Sequence, residues 1–347
     1  MVKRQRHAIR CFLVCLLGMF PFALQADEPP LFWPTPNPAF FEGATWEDIV
    51  QPAASGTTES ALFGCVRNGG SRFHEAIDLK PIGRDRHNEA TDAIYAVMPG
   101  RVAYINPHAG NSSYGRYIVL EHQDADVAVY TLYAHLSAIE PGLREGSLVT
   151  GAQRIGTMGR SAAGYTIPRQ QAHLHFEIGL RKSTNFDAWY KKARYSGKNH
   201  HGDYSGLNLI GADPVDFWET VRAGKLKTFR EYFFNLPTAF TLRVGTKTVP
   251  EYINRYPQLL TKPIPSSGVT GWDIDYTWYG LPKRWTPLGA EAFPYGAKEG
   301  DIALLDFNPE AFESQCRDTL EFSNSNPEGT VKLGKNLKND LKQIFGF

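Results

Sequence analysis

Between Ala61 and about Ile178 the apolar residues come in short runs separated by glycine, such as Tyr95–Ile105, Tyr117–His122 and Val127–Leu136. Short runs rich in β-branched and aromatic side chains predict a mainly β, mostly antiparallel region. The last run, His173-Leu174-His175-Phe176-Glu177-Ile178, alternates strictly. As a strand it turns Leu174, Phe176 and Ile178 to one face, and His173, His175 and Glu177 to the other. In the run before it, alternation sets His135 on the face of Val127, Val129, Thr131 and Tyr133, opposite Ala128, Tyr130, Leu132 and Ala134.

Outside this region the texture changes. Residues 27–60 carry Pro34, Pro36, Pro38, Phe40, Phe41 and Trp46 without a period, which predicts an extended lead-in wrapped on a domain. Residues 181–204 are polar and aromatic and predict a surface insertion. Beyond Asp213-Pro214, Trp272, Trp278 and Trp285 stand among prolines. Large aromatics in that setting are more often the core of an irregular β-rich extension than a sugar-stacking face. The spacing Leu333, Leu337, Leu341, Ile344 predicts an amphipathic terminal helix.

The first 26 residues hold Lys3, Arg4, Arg6 and Arg10 and no acid, then an apolar run from Cys11 to Leu24 and Ala26 before Asp27. That is a signal-peptide layout, implying export to the periplasm, the cell envelope or the medium. The run is shorter than the roughly 20 residues a spanning helix needs, so no stable membrane span is expected after cleavage. The expected organisation is a signal peptide at 1–26, a lead-in at 27–60, a β domain at 61–218 with its insertion at 181–204, and an extension at 219–347.

Cleavage would remove four cations and take the formal charge from +1 to −3. Neither value supplies the positive field that concentrates nucleic acid, so no nucleic-acid partner is expected. Only Cys65 and Cys316 of the four cysteines would remain. In an oxidising compartment any intramolecular disulfide must then join Cys65 to Cys316; the alternative is two separately buried thiols.

The chemistry concentrates on histidine. Same-face strand residues such as His173 and His175 stand about 6.8 Å apart, which suits one imidazole on a metal and the other beside the reacting water. His74 and Asp78 offer nitrogen and oxygen donors suited to zinc. An extended backbone would hold those two roughly 13 Å apart, so joint ligation requires a bend. Each fragment alone is a weak signal, and a lone strand histidine such as His135 is more often just half-exposed.

Order and context strengthen them. The stretch from residue 65 to 180 resembles the lysostaphin-type zinc endopeptidases of bacterial cell walls, in five blocks that occur in family order. These are Arg72, Phe73, His74 and Asp78; Tyr95 to Val97 with Gly100 and Val102; Tyr117 to His122; Thr131 to Leu136; and, after glycines 146, 151, 156 and 159, His173 to Glu177. The resemblance implies a small antiparallel sheet or split barrel with an open groove. It further implies zinc held by His74, Asp78 and His175, catalytic roles for His135 and His173 beside the activated water, and peptidoglycan peptides as substrate. Two departures stand out: Ala76 occupies a position that is usually glycine, and the loop Ser161–Ala172 is longer than usual. Two other readings compete. A helical zinc site with Glu75 as base lacks its last histidine, and Gly70 and Pro81 leave little room for a helix. A non-catalytic wall-binding or regulatory module of the same fold would lack ligands that this chain keeps.

Overall fold

The computed structural model describes residues 30–289, 298–312, 314, 316–322 and 331–346. The leader expected at 1–26 lies outside them, and no described helix is long and apolar enough to cross a membrane.

The fold is mainly β and its sheets are antiparallel. Gly64–Arg67 (β1) and Arg72–His74 (β2) form a hairpin whose turn places Asn68, Gly69 and Gly70 at positive φ. After Glu75 and Ala76 the chain bends into Ile77–Leu79 (β3). Gly100–Asn106 (β4), Arg116–His122 (β5), Val129–Leu136 (β6), Leu174–Arg181 (β7) and Leu209–Ala212 (β8) follow. They pair in the order β8-β7-β6-β5-β4, with Leu148–Val149 on the far side of β4. β3 also pairs with β7, opposing Asp78 to His175 in register.

The alternation expected in β7 is realised. Leu174, Phe176 and Ile178 join the main core with Ile118, Leu120 and Tyr133. The opposite sheet face carries a smaller cluster of Tyr117, Val119, Tyr130, Leu132 and Ala134.

The lead-in packs closely. Trp33 stacks on Phe40 and meets Trp218 edge-on, while Val50 bridges to Leu79 of β3. The insertion contains a helix, Phe186–Lys192 (α1). Pro214–Arg222 (α2) starts where the Asp-Pro pair allows: proline takes the first helical position, and the Asp213 carboxylate accepts from the Val215 and Asp216 amides. This helix runs through the boundary expected at 218/219.

The extension builds a four-stranded sheet from Phe240–Gly245 (β9), Gly271–Tyr276 (β10), Pro282–Leu288 (β11) and Ile302–Phe307 (β12), ordered β11-β10-β9-β12. Trp272 and Trp285 are fully buried and Trp278 nearly so, which makes them core. The terminal helix, Lys335–Phe345 (α3), buries Leu337, Leu341 and Ile344. Leu333 departs from the expectation: it ends the strand Val331–Leu333, because Gly334 is extended and interrupts the helical period.

Cys65 of β1 is bonded to Cys316, so the disulfide alternative is the one realised. Beside it Phe73 meets Trp278 at 5.8 Å, and the Arg317 guanidinium lies 4.9 Å over the Phe73 ring. The extension is thereby fastened to the β1–β2 hairpin.

His122, which suggested no site in the sequence, is structural. It is fully buried on β5, with Nδ1 2.8 Å from the Pro99 carbonyl and Nε2 2.7 Å from Thr131 Oγ1. A Cβ on Gly100 would lie 2.7 Å from its ring, so that position requires glycine.

Two predictions follow from the packing. Alkylation of denatured, unreduced protein should find no free thiol at Cys65 or Cys316, and Cys316→Ser should cost about 2–5 kcal/mol in urea unfolding. Two alkylatable thiols would refute the link. Burial lowers the His122 pKa to about 4 from an ordinary value near 6.5. The folded state therefore resists the proton, and the stability His122 contributes is complete above pH 6.5 and lost as pH falls towards 4, by up to about 3 kcal/mol. His122→Gln should flatten the slope of unfolding free energy against pH over that window; an unchanged slope would refute the assignment.

Candidate metal centre

The bend at Glu75-Ala76 brings the ends of β2 and β3 together. His74 Nε2 lies 3.2 Å from Asp78 Oδ1, with Ala76 buried where glycine was expected. Pairing of β3 with β7 then sets His175 Nδ1 3.2 Å from the same oxygen and 3.3 Å from His74 Nε2. These three buried residues form a donor cluster able to hold a metal ion.

His173 lies on the same side as His175, as alternation requires, with Nε2 3.5 Å from Asp78 Oδ2. His135 does not follow alternation. Tyr133, its expected face-mate, packs against Phe176 in the main core, yet the His135 ring sits 4.8 Å from His173 and 5.6 Å from His175 on the other face. The cause is a bulge between β5 and β6, where Arg116 and Ile118 pair with Leu136 and Tyr133, one residue too many on β6. His135 absorbs it with φ +60°, held by its amide to the Tyr114 carbonyl. The expected face for His135 is thus corrected: the bulge re-aims the side chain into the site.

Each imidazole is oriented by an acceptor behind it. His74 Nδ1 donates to the Leu62 carbonyl at 2.7 Å, His135 Nδ1 to Ser161 at 2.8 Å and His173 Nδ1 to Gln171 at 2.7 Å. His175 Nε2 donates to Glu177 Oε1 at 3.0 Å. With these nitrogens fixed as donors, the other nitrogen of each ring presents a lone pair to the centre. Asp78 Oδ1, buried among them, has no hydrogen-bond partner.

Electrostatics agree with a site for a cation. Burial alone would raise Asp78, but His173 and His74 hold its carboxyl well below the usual range. Burial lowers His135 and His173, which are therefore neutral near pH 7. Burial also opposes charge on His175, yet Asp78 and Glu177 on either side outweigh it and push the ring up to about 9. The Arg67 guanidinium from β1 bonds Asp78 Oδ2 and donates to His74 Nε2 at 2.8 Å.

Every residue singled out for a site, His74, Asp78, His135, His173 and His175, is brought to this centre. Sequence reasoning missed the supports. Glu177 was visible only as a face-mate of the two histidines. Here it is buried and accepts from Tyr114 Oη at 2.7 Å and Tyr130 Oη at 3.0 Å as well as from His175. Nothing local marked Tyr114 or Arg67. The centre opens onto a cleft of about 820 Å³. Its walls include Pro52–Ser55 of the lead-in, the long loop at Tyr165–Pro168, Trp189 and Tyr195 of the insertion, and Arg317, Asn339 and Gln343 of the extension.

Fold and site together define an antiparallel β domain that presents a two-histidine, one-aspartate cluster in an open cleft. Residues 72–188 match Peptidase family M23 and form a domain of that family. Similar solved structures include a zinc-containing peptidase from Vibrio cholerae, 29% identical over 30% of this chain and 26% of that one, TM-score 0.22. Csd3 from Helicobacter pylori is 22% identical over 44% of this chain and 30% of that one, TM-score 0.27. The catalytic domain of the antimicrobial peptidase lysostaphin from Staphylococcus simulans is 21% identical over 46% and 87%, TM-score 0.28. The chain thus spans less than a third of the length of the Vibrio and Helicobacter proteins. No curated protein matches it.

Replacing Glu177 by Ala would leave three buried donors unpaired. Urea unfolding should show a loss of about 3 kcal/mol or more; a loss under about 1 kcal/mol would show that the network is not a support.

Proposed function

We propose that this chain is an exported zinc metalloendopeptidase that hydrolyses peptide cross-links or stem peptides of bacterial peptidoglycan. The observation that carries the reading is Asp78 Oδ1, buried without a donor between two imidazole nitrogens whose lone pairs face it. Three acceptors at such distances repel unless a positive charge joins them; a proton on His175 does so without metal, and a metal ion displaces that proton on binding. Two nitrogens and a carboxylate oxygen are a donor set zinc accepts, and three protein ligands leave a coordination position open. His74 Nε2, Asp78 Oδ1 and His175 Nδ1 would hold the ion. When bound, zinc lowers the pKa of a water towards 7 and polarises a scissile carbonyl.

The remaining residues would handle protons. His135, neutral and with Nδ1 committed to Ser161, would take a proton from the attacking water at Nε2. The same atom would return it to the departing amine, directly or by first passing it to Nε2 of His173, whose Nδ1 is committed to Gln171. Glu177 would keep His175 in the tautomer that turns Nδ1 inward, and the open cleft would admit an extended peptide. An envelope location is supported by the N-terminal layout and by the disulfide, which fits an oxidising compartment.

The test separates metal from proton transfer. The protein should carry close to one zinc per chain and digest purified peptidoglycan only without chelator. His175→Ala should lose the metal. His135→Ala should keep it and lose turnover by about 10²- to 10⁴-fold. Full zinc in the first variant, or normal digestion by the second, would overturn the assignments.

A further inference from the structure

The cleft continues past the donor cluster to Lys182, just beyond the end of β7, and to the polar face of α3. At about 3.3 Å per residue, Lys182 stands roughly 23 Å along the strand from His175. That is too far to touch the residues flanking a bond cut at the centre, but within reach of a more distant part of a peptide.

Leu337, Leu341 and Ile344 seat α3 in the core, while Asp340 and Gln343, three residues apart along the flank of that stripe, line the cleft. The Lys182 side chain is 3% exposed, and its ammonium bonds Asp340 Oδ1 at 2.7 Å. This accounts for one of three ammonium hydrogens. Gln343 is 7% exposed, and its Oε1 is buried with no hydrogen-bond partner. Donors and acceptors thus stand side by side in a largely dry wall with hydrogen-bonding capacity unused.

We propose that Lys182, Asp340 and Gln343 form a subsite for a free amino-acid head group, an ammonium and a carboxylate on one carbon, carried on a side branch of the peptide substrate. The assignment rests on the peptidase reading above and adds to it what the remote end of the cleft selects. The ligand carboxylate meets Lys182, and the ligand ammonium meets Asp340 and Gln343 Oε1. Charge decides for the zwitterion over a single ion. Lys182 and Asp340 neutralise each other, so a head group of zero net charge can exchange partners with them and leave none uncompensated. A lone carboxylate or ammonium would strand one buried charge.

The experiment is calorimetric titration of the whole protein in the presence of chelator, which removes the metal as a competing site. Three N-acetylated, C-amidated dipeptides serve as probes. Alanyl-diaminopimelate ends its side chain in both charges, alanyl-lysine in the ammonium alone and alanyl-2-aminopimelate in the carboxylate alone. The first should bind at least about ten-fold tighter than either of the others. Gln343→Leu should erase most of that preference, and Gln343→Glu should shift it towards alanyl-lysine. Equal binding of the three, absence of binding, or an unchanged preference in both variants would overturn the subsite, as expected if the ion pair only fastens α3. Because no turnover is read, the two readings fail separately. Discrimination without any zinc-dependent digestion would sink the peptidase reading alone, and digestion without discrimination would sink the subsite alone.

Discussion

A buried carboxylate oxygen with lone pairs turned towards it from two sides is the constraint around which the site is arranged. Left alone, Asp78 Oδ1 among inward-facing imidazole nitrogens would cost several kcal/mol. The arrangement persists because every ring is held from behind by a carbonyl or by Glu177, and because β3 and β7 are locked together by pairing and by the core beneath Leu174, Phe176 and Ile178. Rigid support of this kind prevents the donors from turning away to pair with one another. In the structure described, Arg67 supplies positive charge at the same carboxylate, which is what such a cluster demands of any occupant.

The extension is continuous with this centre. Cys65 and Cys316 tie it to the hairpin that carries Arg67 and His74. Arg255 donates to the Arg181 carbonyl, and the Tyr256 hydroxyl accepts from the Arg181 amide, at the end of the strand that bears His175. The flank of α3 beside its apolar stripe therefore meets the cleft, which explains how polar residues such as Asp340 and Gln343 come to be buried. A groove walled by four separate segments of chain can discriminate along its length, whereas a bare sheet edge could not.

His135 shows where local pattern and local need part company. Alternation in β6 serves the core, where Tyr133 packs on Phe176 and its hydroxyl accepts from the Val97 amide. A histidine two residues on would continue that inward face. One extra residue and a left-handed backbone reverse the side chain, at a conformational cost of about 1–3 kcal/mol that the pairing of β5 with β6 sustains.

Much of this was legible in the residues themselves. Period two in His173–Ile178 placed two imidazoles and Glu177 on one face, period 3.6 placed the apolar stripe of α3, and Asp213-Pro214 marked a helix start, because these are local rules of backbone geometry. The resemblance in five ordered blocks pointed to His74, Asp78 and His175, three residues that the fold brings together. What the sequence could not contain was the direction of each ring nitrogen, the buried role of His122, the turn of His135 into the site and the burial of Lys182 against a helix more than 150 residues away. Each depends on which strand pairs with which and in what register. Such pairings arise only when the whole chain has closed around its core.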